Sequence, residues 1–162
     1  MRSFEKGFTY LTLLIVVALL GGGLAAFGEF YSHAAQREKE AELLFVGGEF
    51  RRAIGQYYES SPAGHLRYPA RLEDLLQDKR FAFNRRYLRK LYADPLTGKP
   101  EWGAVEAPEG GIMGVYSLSR EEPIKTGNFN QEDTAFSKAK NYRDWQFVHQ
   151  PPPSPSGPTA AR

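Results

Sequence analysis

The chain has 162 residues, 41% hydrophobic and 25% charged, with a net charge of +2. That is one domain's worth of chain, too short for two independent enzyme domains, and too near neutral for a bulk polycation. It contains no cysteine, which excludes a disulfide framework, a lipid-anchored N-terminal cysteine, a thiolate zinc site and a cysteine nucleophile. Mean hydropathy is −0.50, yet Phe8–Phe27 holds twenty residues without a charge. At ~1.5 Å per residue a helix there spans ~30 Å, the thickness of a bilayer's hydrocarbon. Gly21, Gly22 and Gly23 weaken such a helix in water and are tolerated in lipid. Arg2 and Lys6 precede it and place the N-terminus in the cytoplasm, with the rest of the chain on the far side. The apolar run is longer than that of a cleaved secretory signal, and Gly22–Ala26 is only a loose small-x-small site. An uncleaved single-pass anchor is the plainer alternative.

From Glu29 to Tyr58 the pattern stays helical. Leu43, Val46, Phe50, Ile54 and Tyr57 recur at spacings of three and four, one face of a helix, while Glu42, Glu49, Arg52, Gln56 and Glu59 fall elsewhere. Gly47 lies on the apolar side, where a strand can approach closely. Ser60–Gly64 ends the helix. Pro69–Asp78 predicts a short helix, with Leu72, Leu75 and Leu76 as its stripe, and Tyr87–Tyr92 predicts another helical turn. Asp94-Pro95-Leu-Thr-Gly98-Lys-Pro100 is dense turn chemistry. Strands are predicted at Glu101–Val105, Ile112–Ser119 and Trp145–Val148, joined as an antiparallel meander. Lys125–Tyr142 is polar and reads as a long loop. Five of the eleven prolines fall in residues 150–162, which read as a disordered tail.

Lys6-Gly7-Phe8-Thr9, followed directly by an apolar helix, resembles the class III signal of type IV pilins and type II secretion pseudopilins. Tyr68-Pro69, Leu72 and Leu75, and then Tyr87-Leu88, Leu91, Asp94-Pro95, Gly98, Pro100 and Trp102, resemble segments of the secretion pseudopilins in the same order. The likeness implies an α+β, pilin-like fold: one long N-terminal helix, its first half transmembrane, packed on a small antiparallel sheet. It implies a leader over 1–7, a transmembrane and filament-core helix over 8–28, a periplasmic globular domain over 29–149, and a Pro-rich tail over 150–162. A prepilin peptidase would cut after Gly7, and Phe8 would become the methylated N-terminus. Leu11, Thr12, Leu13, Leu14, Ile15 and Val16 would lie in the filament core. The implied function is structural: a subunit of a type II secretion pseudopilus, anchored in the bacterial inner membrane. Its partners would be other pseudopilin subunits, the peptidase and the inner-membrane assembly platform. The family carries a glutamate where this chain has Thr12. A threonine hydrogen-bonds but cannot neutralise an amine in lipid, which fits a subunit that needs no such pairing, as at a filament tip.

Nothing in the residues points to an enzyme. His33, His65 and His149 lie outside any metal-ligand spacing and read as ordinary surface or loop residues, and no nucleophile motif or phosphate loop is present. No cofactor is expected. Major pseudopilins bind calcium in a loop near the C-terminus, and Asn128, Asn130, Glu132 and Asp133 are the candidates here. They lack the dense carboxylates of that loop, and a solvated loop is the preferred reading. Lys79–Lys90 carries six basic residues and no acid, interleaved with Phe81, Phe83 and Tyr87. Such a run can hold phosphates and stack on bases, so a type IV pilus or DNA-uptake subunit using Arg85, Arg86, Arg89 and Lys90 is the rival reading. A solvated basic face with its aromatics turned into the core is preferred, and nucleic acid is not the expected partner.

Overall fold

The computed structural model describes the backbone of residues 5–62 and 65–151, and side chains over 10–19, 33–62 and 65–151. Residues 1–4, Ala63-Gly64 and the tail over 152–162 lie outside the described residues, as does the side chain of Phe8, next to Gly7. The fold is α+β, with a three-stranded antiparallel sheet. Helix α1 runs Glu5–Glu59. The chain divides into two compact units, Met1–Glu38 and Lys39–Arg162.

In the first unit, the described residues belong to α1. Among the described residues no helix is long and apolar enough to cross a membrane. The segment read as membrane-spanning, 8–28, has described side chains only over Tyr10–Leu19, about 15 Å of helix, half a bilayer.

In the second unit, α1 supplies the core face that its periodicity predicts. Leu43, Phe50 and Ile54 are fully buried, and Val46 and Tyr57 nearly so. The strand that approaches Gly47 is β3, whose Phe147 ring lies against the bare glycine backbone. Strands β1 (Gly103–Glu106), β2 (Ile112–Tyr116) and β3 (Phe147–Val148) form a meander in the order β1-β2-β3. Gly103 pairs with Tyr116 and Val115 with Phe147, with an irregularity between Val105 and Glu106. Gly110 and Gly111 adopt φ of 89° and 88° in the β1–β2 connection, a region open to glycine at little cost. Before β1, the Asp94–Pro100 segment turns as its residues dictate. Gly98, at φ 70°, donates its N–H to the Asp94 carbonyl at 2.7 Å, and Leu96 N–H bonds Asp94 Oδ1 at 2.9 Å.

Three predicted elements come out differently. The Pro69–Asp78 helix shrinks to a single 3-10 turn, Leu72–Leu75. The Tyr87–Tyr92 helical turn does not form at all. The two segments pair with each other: the Leu75 carbonyl accepts from the N–H groups of Tyr87 (2.8 Å) and Leu88 (3.1 Å), and Asp78 N–H bonds the Arg85 carbonyl at 2.8 Å. In an α-helix over Pro69–Asp78 the Asp78 N–H would bond the Asp74 carbonyl, and its bond to Arg85 takes that donor away. The Lys125–Tyr142 loop instead holds 3-10 turns over Gln131–Lys138 and reaches Tyr142–Asp144. These turns carry Phe136 and Tyr142 into a ring cluster with Trp145. Phe136 stacks on Trp145 at 5.5 Å and meets Phe147 edge-on at 5.2 Å.

Candidate functional site

The residues expected to form the filament core share one property. Leu11, Leu13, Leu14, Ile15 and Val16 are 45–59% exposed, and Tyr10, Val17 and Leu19 are also open, at up to 71%. Thr12 sits among them, exposed. Apolar side chains point outward all round this stretch of α1, not along one stripe. A helix that is hydrophobic on every side is stable only when something apolar covers it.

Two of the four calcium candidates are held by an arginine. Asn128 is exposed, with φ 56°, and Asn130 is exposed too. Glu132 and Asp133 both bind Arg51 of α1, at 2.7 and 2.6 Å. Asp133 is buried, so its charge is neutralised by a guanidinium that is itself only 12% exposed. Among the described residues no group of three or more histidine, cysteine, aspartate or glutamate side chains could hold a metal ion.

In the basic run the cations are not alike. Asp78 is buried and grips Arg80, whose Nη2 lies 2.7 Å from Oδ2. Arg80 then reaches the Tyr57 carbonyl at 2.8 Å and the Ser61 hydroxyl at 2.7 Å, and lies over the Tyr57 ring at 3.6 Å. It is a cation bonded at the C-terminal turn of α1, where unsatisfied carbonyls and the helix dipole favour one. Burial pushes the Asp78 carboxyl up, but hydrogen bonds from Arg80 and Tyr87 and the Arg80 charge outweigh it and hold it below its ordinary range. Arg85 sits over Phe81 and Tyr87, while Arg86, Arg89 and Lys90 are exposed. The aromatics do not all turn inward as expected. Tyr87 packs against the core, Phe81 is half-buried, and Phe83 is 64% exposed.

Among the histidines, His33 and His65 are exposed. His149 is not an ordinary loop residue: it lies against Gly55 of α1 and beside the rings of Tyr58 (5.9 Å) and Tyr68 (6.3 Å), half-buried. Burial pulls its imidazole below the ordinary value, with Glu59 opposing. Glu40 belongs to no motif in the sequence. It is buried on α1, and its Oε1 accepts from Ile124 N–H at 2.6 Å, Lys125 N–H at 3.1 Å and the Tyr142 hydroxyl at 2.9 Å. Its only signal was a glutamate one turn before Leu43, near the apolar face. Compared with protein-family models, with curated proteins and with solved structures, the chain finds no match.

Proposed function

We propose that the chain is a pilin-like structural subunit of a type II secretion pseudopilus. The observation that carries this reading is the outward-facing apolar surface of α1 over Tyr10–Leu19. In water that surface is unfavourable by ~25 cal/mol per Å² of apolar area, so it belongs in lipid or against other apolar helices. A subunit that begins in the inner membrane and ends in a filament core needs both in turn. The N-terminus then lies in the cytoplasm and the domain containing the sheet in the periplasm. Helices leaving lipid would bury this surface on the same surface of neighbouring copies, in a repeating array that does not close. The work is mechanical, and no step of it needs a nucleophile, a metal or a cofactor.

The test is the intact mass and N-terminal sequence of the protein extracted from its native membrane. The expected result is loss of residues 1–7 with a methylated Phe8, and a block of that cut by Gly7→Val. A full-length chain rejects the reading in favour of a plain single-pass anchor. A cut near Ala26 rejects it in favour of a released periplasmic protein.

A further inference from the structure

Lys79–Lys90 carries six cations and no acid. Only Arg80 of its six cations is paired with a carboxylate; Lys79, Arg85, Arg86, Arg89 and Lys90 have no carboxylate within ion-pair distance among the described residues. Arg85, Arg86 and Tyr87 line a cleft of about 430 Å³ together with Gln56, Glu59 and Ser60 at the end of α1. Glu59 is the carboxylate in that lining, and it pairs with neither arginine. Beside the cations, Phe83 presents its ring to solvent, braced by Phe81 at 5.5 Å. The guanidinium of Arg85 lies 5.0 Å from the Phe81 ring centre, which fixes that cation in place.

We propose that this loop binds single-stranded nucleic acid. Arg85, Arg86, Arg89 and Lys90 contact successive phosphates, and the Phe83 ring stacks on an unpaired base. The cations alone would suit any polyanion. The exposed, braced ring selects a strand whose base faces are free, because a duplex hides them in its own stack. The site stands apart from the assembly reading, since strand binding is read on the purified chain and N-terminal processing on the native one.

The experiment is fluorescence anisotropy of a labelled oligothymidylate against the full chain in non-ionic detergent. With about four phosphates neutralised, log affinity should fall with log salt at a slope near −3. Phe83→Ala should weaken binding roughly tenfold with that slope unchanged, and Phe83→Trp should restore it. Arg86→Ala with Arg89→Ala should lower the slope by about one to two. Both variants alter exposed side chains, and an unchanged thermal midpoint verifies the fold. Heparin binding should be insensitive to Phe83→Ala. Oligothymidylate binding that is salt-independent, or equal in wild type and Phe83→Ala, overturns the proposal. So does displacement of the strand by phosphatidylglycerol vesicles but not by unlabelled strand, which would make the loop a lipid-headgroup surface.

Discussion

Ser117 donates its hydroxyl to Asp94 Oδ2 at 2.7 Å, and both side chains are fully buried. The bond ties the turn before β1 to the residue just after β2. The other carboxylate oxygen closes the turn on Leu96, and the Asp94 N–H bonds the Lys99 carbonyl at 2.8 Å. One aspartate thus sets the local reversal and anchors it to the sheet. Asp94→Ala should destabilise the domain by about 2–3 kcal/mol, because it strips partners from buried groups. Urea unfolding measures this, and a loss under ~0.5 kcal/mol would contradict it.

Arg51 separates two carboxylates that look alike in sequence. Asp133 is buried with it, whereas the Glu132 side chain is 75% exposed. Asp133→Ala leaves a mostly buried guanidinium short of its counter-charge and should cost about 3 kcal/mol. Glu132→Ala should cost about 0.5 kcal/mol, as for an exposed pair. Equal effects in denaturant unfolding would mean that the ion pair with Asp133 is not the one that matters.

Gly47 and Gly48 are neighbours with opposite tolerances. A Cβ at Gly47 runs into the Phe147 ring, and one at Gly48 meets open space. Gly47→Ala should therefore cost about 1–3 kcal/mol through overpacking. Gly48→Ala should gain about 0.5–1 kcal/mol through helix propensity. Thermal midpoints moving in opposite directions are the expected result. Both rising would show that β3 is not held against α1 at Gly47.

His149 and Asp78 predict two separate acid transitions. Burial lowers the His149 imidazole from 6.5, only partly offset by Glu59. The unfolded chain therefore takes up that proton first, and stability falls as pH drops below 6.5. The Asp78 contribution is fully present above 3.8 and is lost only at more acid pH, as its lowered carboxyl protonates. Unfolding midpoints followed by circular dichroism from about pH 8 to about pH 3 read both. His149→Gln should flatten the first transition and leave the second. If it changes neither, the imidazole is not held neutral by its surroundings.

Local chemistry was legible before any coordinates. The three- and four-residue spacing of Leu43, Val46, Phe50, Ile54 and Tyr57 marks the buried face of α1, because a helix brings those positions together without help. The Asp94–Pro100 reversal and the order of three strands follow from turn residues and short apolar runs in the same way. The uncharged run from Phe8 to Phe27 is a property of composition alone. What only the tertiary structure decided depends on partners far away in the chain. Glu40 bonds Tyr142 across 102 positions, and Arg51 bonds Asp133 across 82. No periodicity records such pairs, so a buried glutamate on α1 looks like any solvated one. Pro69–Asp78 keeps only one turn, and the Asp78 N–H that a longer helix would give to Asp74 bonds the Arg85 carbonyl instead. The direction of Phe83 is likewise tertiary: Tyr87 packs against the core while the Phe83 ring stays exposed, and nothing in their spacing distinguishes the two.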